Sequence, residues 1–122
     1  MIIGAHSIIY SKDPDADRAF FRDVLKFPYV DAHDGWLIFG LPPSEVACHP
    51  LMSEDPSTEN GKHEFFLMCE DVTAFVAEMK SQDVPCTEPA DQGWGILTSI
   101  TLPGGSKLGV YQARHARPEA MK

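Results

Sequence analysis

Residues 63–80 read HEFFLMCEDVTAFVAEMK. The first seven, HEFFLMC, form an apolar run of strand length, and Asp71 behind them is a residue type that caps a helix by accepting from the free N–H groups of its first turn. Val72, Phe75, Val76 and Met79 then recur at helical spacing and lay one apolar stripe along the segment. The same order stands earlier in the chain. A short strand is expected over about residues 5–11, after which Asp13-Pro14 supplies an N-cap followed by proline at the first helical position. Ala16, Ala19, Phe20, Val24 and Leu25 carry the stripe of that first helix.

Two copies of one unit must match at a constant offset, and these do. Asp13 and Asp71 are 58 residues apart, as are Ala16 and Ala74, Ala19 and Ala77, Gly35 and Gly93, and Trp36 and Trp94. Behind the first helix lie three short extended runs, FPYVD, GWLIFGL and SEVACH, separated by the turn formers His33-Asp34-Gly35 and Pro42-Pro43. Behind the second lie VPCTEP, expected as a short edge strand, then GILTSITL and KLGVYQA. Pro42 and Pro103 differ by 61, so the second copy is about three residues longer beyond its tryptophan. The expected fold class is α+β: one domain over residues 1–122, with a βαβββ module over about 1–51, a polar linker at 52–62, a second module over about 63–113, and a tail at 114–122.

Composition limits the function classes. A chain of 122 residues with 43% hydrophobic content suits one compact core. A formal net charge of −8 disfavours sequence-independent binding to nucleic acid or to an anionic membrane, both of which need clustered Lys and Arg. No run of about 18 apolar residues is present to span a bilayer, and the start MIIGAHSIIY lacks a basic, cleavable leader pattern, so a cytoplasmic location is expected. Cys48, Cys69 and Cys86 form an odd, widely spaced set in apolar segments and are expected as buried free thiols. His33, in a turn, and His115, in the polar tail, are expected to be solvated.

The runs AHSIIYSKDPDADRAFFRDVLKFPYV, GWLIFGLPPSEVACHP, HEFFLMCEDVTAFVAEMK and QGWGILTSITLPGGSKLGVYQ, in that order and spacing, resemble the vicinal oxygen chelate superfamily of glyoxalases, bleomycin-resistance proteins and extradiol dioxygenases. The resemblance covers essentially the whole chain. It implies two βαβββ modules whose curled mixed sheets form a funnel, a divalent metal held inside by the first and last strands of the modules, and a homodimer that completes the funnel in small members.

Repeat arithmetic chooses between His63 and Glu64. His6 lies seven residues before Asp13, and Glu64 lies seven before Asp71, so Glu64 is the counterpart of His6. Strand alternation then turns Glu64, Phe66 and Met68 to the funnel, as it does His6, Ile8 and Tyr10, while His63, Phe65, Leu67 and Cys69 face away. His49, on the last strand of the first module, matches a ligand position implied by the resemblance. The fourth such position, normally glutamate, falls on Gly109, which offers no side-chain ligand. The candidate metal set is therefore His6, His49 and Glu64, donors suited to Fe, Zn, Ni or Mn with coordination positions left open for a substrate's adjacent oxygens.

Gly109 counts against a glyoxalase-type isomerisation, in which that carboxylate is the expected base. Tyr111, on the same strand face as Gly109, is the candidate catalytic phenol. Tyr10, Trp36, Phe66, Met68 and Trp94 are candidate substrate-binding side chains. Two functions follow: a metal-dependent lyase, isomerase or dioxygenase, or a metal-free protein that sequesters a small molecule. For the second, the acidic surface and paired tryptophans suit a cationic aromatic ligand.

Overall fold

The computed structural model describes residues 6–48, 50, 54–55, 60 and 62–119. The fold is α+β, with helices α1 (Pro14–Asp23) and α2 (Val72–Ser81). The strands are β1 (Tyr29–Asp31), β2 (Leu37–Phe39), β3 (Phe66–Cys69), β4 (Ala90–Asp91), β5 (Gly95–Thr101) and β6 (Lys107–Ala113).

The duplication is visible in local geometry. Both helices are ten residues long and start 58 residues apart. Asp13 accepts from the Ala16 N–H at 3.2 Å and Asp71 from the Ala74 N–H at 3.1 Å. Gly35 and Gly93 follow with φ of 86° and 85°, a left-handed turn conformation that favours glycine. In each copy an aspartate accepts from the turn backbone, Asp31 from the Gly35 N–H and Asp91 from the Gly93 N–H.

The two sheets are unequal. In the second half, β3, β6, β5 and β4 form a mixed sheet in that order, with β3 and β6 parallel and the other pairs antiparallel. Among the described residues of the first half, only β1 and β2 pair. The expected strands at 5–11 and 44–48 take no part in a ladder among their described residues, and Ile8, Tyr10 and Val46 are exposed. The second half supplies the physical reason: its first and last strands, β3 and β6, are each other's parallel partners. In the first half the described residues of the two counterparts form no such pair. The expected edge strand VPCTEP contributes one bridge, Cys86 to Ile100, and β4 proper lies just beyond it.

Alternation along β5 and β6 separates the two faces of the larger sheet. Thr98, Ile100, Leu108 and Val110 are almost fully buried. Met79 of α2 and Phe20 and Phe21 of α1 join Ile100 and Leu108 in one core, with Phe65, Leu67 and Phe75 packed against it. The opposite face carries Phe66, Met68, Leu97, Ser99, Gly109 and Tyr111, opposed in register as Phe66–Gly109, Met68–Tyr111, Leu97–Tyr111 and Ser99–Gly109. The two halves of the chain meet at the start of α1, where the buried carboxylate of Asp17 accepts from the Gly104 N–H at 2.7 Å in the β5–β6 turn. The cysteines are less buried than expected: Cys69 and Cys86 are half-buried, with burial pushing both thiols up, and Cys48 is exposed, the described residues of its run joining no sheet.

Candidate functional site

Glycines set the shape of the open sheet face. A Cβ on Gly109 would lie 2.6 Å from Cε1 of Phe66, and one on Gly95 would lie 2.7 Å from Cδ2 of Tyr111. Each ring therefore occupies the space that a neighbouring side chain would have filled. Phe66, Tyr111 and Trp94 meet edge to face, with centroid separations of 6.2 Å for Phe66–Trp94, 6.1 Å for Phe66–Tyr111 and 5.0 Å for Trp94–Tyr111. Ring quadrupoles favour that geometry over a face-to-face sandwich. Tyr111 is buried, whereas Trp94 and Phe66 remain 43% and 37% exposed and so offer a ring-recognition surface.

A polar knot closes one end of this wall. The Tyr111 phenol oxygen lies 3.1 Å from Nε2 of His115 and 3.5 Å from Oε1 of Glu45. His115 Nδ1 donates to the Ala116 carbonyl at 2.9 Å, and the phenol proton is directed at the Glu45 carboxylate. Arg117 reaches Oε2 of Glu45 at 3.5 Å and the Pro43 carbonyl at 3.4 Å. Burial, and then the Glu45 carboxylate, push the Tyr111 phenol above its ordinary range. The tail thus holds Tyr111 against the first half of the chain. His115 and Arg117 carry this contact, and the tail's polar composition gave no sign of it.

At the other end of the face lies a cavity of about 500 Å³, floored by Phe66, Leu97 and Gly109 and rimmed by Ile8, His63, Glu64 and Lys107, within the size range of small-molecule sites. The structure brings Glu64, Phe66, Met68, Trp94 and Tyr111 to one half of the molecule, three of them in the ring cluster. His6 is exposed at the head of the segment whose Ile8 and Ile9 line the same cavity as Glu64. Tyr10 is 88% exposed. Trp36 stands apart from its counterpart: the Arg18 guanidinium lies over its ring, 5.0 Å from the centroid. His49 lies outside the described residues, and no group of three or more metal-binding side chains gathers among those described.

Donor chemistry tests the expected metal. His6, His49 and Glu64 are ligand types that suit a divalent ion, but the fourth position does not fit one, because Gly109 has no side chain and the Phe66 ring covers it.

Comparison with solved structures finds the same fold. A lactoylglutathione lyase from Agrobacterium tumefaciens superposes with a TM-score of 0.63 at 18% identity, over 89% of this chain and 92% of that one. An antibiotic-binding protein, TnmS3, from Streptomyces sp. CB03234 does so with a TM-score of 0.60 at 20% identity, over 93% of this chain and 98% of that one. A glyoxalase/bleomycin resistance protein from the same Streptomyces strain gives 0.56 at 19% identity, over 85% and 95% of the two chains. Comparison with curated protein sequences found no match. None of the described helices is long and apolar enough to cross a membrane. A family model matches residues 4–110, most of the length that the two copies occupy, and the chain belongs to the glyoxalase/bleomycin resistance protein/dioxygenase superfamily.

Proposed function

We propose that this protein binds a small ring-bearing molecule on the open face of its larger sheet, stacking it against Phe66 and Trp94 with Tyr111 behind them. One observation carries this reading: the Phe66 ring lies over Gly109, so an aromatic surface stands where the resemblance led us to expect a fourth metal ligand. Trp94 and Phe66 are the exposed members of the cluster, and large aromatic side chains with exposed faces are the usual anchors of such sites. The antibiotic-binding neighbour makes antibiotics the first compounds to try, and the ring wall favours planar ones. In a thermal-shift panel of planar aromatic compounds, a ligand at about a hundred times its Kd adds roughly 2.7 kcal/mol of stability, and Trp94→Ala removes the shift. A panel in which nothing raises the melting temperature, or in which the shift survives both Trp94→Ala and Phe66→Ala, ends the proposal.

A second reading retains metal chemistry, and a separate observation favours it. Ile8, Ile9 and Glu64 line one cavity, so the segment that follows His6 runs beside Glu64. His6, Glu64 and His49 would hold the ion, which would supply Lewis-acid polarisation of adjacent ligand oxygens. Elemental analysis after incubation with Fe(II), Zn, Ni or Mn tests this reading: near-stoichiometric uptake lost in Glu64→Ala supports it, and no uptake of any ion removes it.

A further inference from the structure

The cavity above the Phe66 floor has charges of both signs at its rim. Phe66 and Gly109 are opposed in the parallel β3–β6 register, and two residues before each stand Glu64 and Lys107, both exposed and both lining the cavity. Opposite charges so placed would normally pair. Here no ion pair joins them among the described residues, and Glu64 has no hydrogen-bond partner there. The Lys107 ammonium is instead drawn toward β5, where Nζ donates to Oγ1 of Thr101, its antiparallel neighbour, at 2.7 Å. Lysine has three ammonium protons, so donors remain for a further acceptor. The rim thus holds an unpaired carboxylate on the β3 side and a partly satisfied ammonium on the β5 side, with the apolar floor of Phe66, Leu97 and Gly109 between them.

We propose that the ligand is an amphipathic zwitterion: an apolar or aromatic body carrying an ammonium that meets Glu64 and a carboxylate that meets Lys107, as in an aromatic amino acid or a short peptide. This rests on the ring-binding reading above and adds the ligand's charges to it. A cation alone would leave Lys107 unmatched, and an anion alone would leave Glu64 so. The cavity volume of about 500 Å³ accommodates a molecule of that size. Charges at an open rim act mainly through complementarity and orientation, while the floor supplies the apolar contact.

Isothermal titration with four probes sharing one ring separates the contributions: L-tryptophan, tryptamine, indole-3-propionate and indole. The expected order places L-tryptophan tightest. Glu64→Gln is expected to weaken L-tryptophan and tryptamine by about 1.5-fold to fivefold while leaving indole-3-propionate unchanged, and Lys107→Met to weaken L-tryptophan and indole-3-propionate by as much while leaving tryptamine unchanged, the range typical of rim charges. Both side chains are exposed, and an unchanged melting temperature without ligand confirms that each variant is folded. Equal binding of all four probes, unmoved by either substitution, overturns the zwitterion and leaves the aromatic wall standing. Absence of heat with every probe, indole included, overturns the zwitterion and counts against the wall as well. Metal uptake does not depend on Lys107, so a response in Lys107→Met reports on the organic ligand alone.

Discussion

At position 109 a missing side chain matters because of what lies over it. Phe66 and Gly109 are register partners on the open face, and the ring rests where a Cβ would stand. Gly109→Ala forces the ring aside. Leu97 Cδ1 is 3.5 Å from the same point, so the displaced ring must turn outward, and the expected cost is about 1–3 kcal/mol, the usual range for overpacking. Phe66→Ala removes the obstacle, and the double variant should therefore lose less stability than the two single changes summed. Denaturant unfolding of the four proteins measures this, and strict additivity would show that ring and glycine are independent. The sequence exposed half of this relation. It showed that residue 109 has no ligand to offer, but the phenylalanine that covers it lies 43 positions away and becomes its neighbour only through a parallel pairing that local pattern does not specify.

Among the elements, what was legible depended on how local the determinants are. Helix position follows from a cap and a stripe within about a dozen residues, and both helices begin one residue after the aspartates that the sequence marks as caps. The glycine turns repeat for the same reason, since a left-handed φ is decided by the residue that adopts it. The outer strands of the first half are another matter. AHSIIYS and SEVACH have strand-like composition, yet a strand forms only when a partner's N–H and C=O groups are presented to it, as β3 and β6 present theirs to each other in the second half. Asp17 is a further element-scale feature that pattern could not supply. It sits on α1 among small and charged residues and looks like a solvated helix position, but its carboxylate is buried against the β5–β6 turn. That contact spans 87 residues of sequence, and a Cβ at Gly104 would come within 2.8 Å of its second oxygen. The glycine there leaves room for the carboxylate.

Across the whole molecule, a shared apolar core joins the halves, and polar contacts between them include Asp17 with Gly104 at one place and Glu45 with Tyr111, His115 and Arg117 at another. The second contact also bears on function, because Tyr111 backs the ring wall. Glu45 has a side chain only 20% exposed and faces the Arg117 guanidinium, the His115 imidazole and a phenol. At 3.5 Å these are loose contacts, and a partly exposed ion pair such as Arg117–Glu45 contributes about 0.2–1 kcal/mol. Glu45→Ala should therefore lower stability by roughly 1 kcal/mol, with most of the effect local to the knot. The local effect is the more telling readout. With the carboxylate gone, the run holding Pro43 and Glu45 keeps only the Arg117 bond to the Pro43 carbonyl, the cover over Tyr111 loosens, and Trp94, whose ring centroid is 5.0 Å from that of Tyr111, becomes more accessible. In a Trp36→Phe background, where Trp94 is the sole indole, Glu45→Ala should raise the rate of acrylamide quenching of its fluorescence. Glu45→Gln, which keeps the shape and loses the charge, should fall between the two. Quenching and stability that are the same in all three proteins would mean that the halves are held by the core and Asp17 alone, with the tail lying against the wall without supporting it.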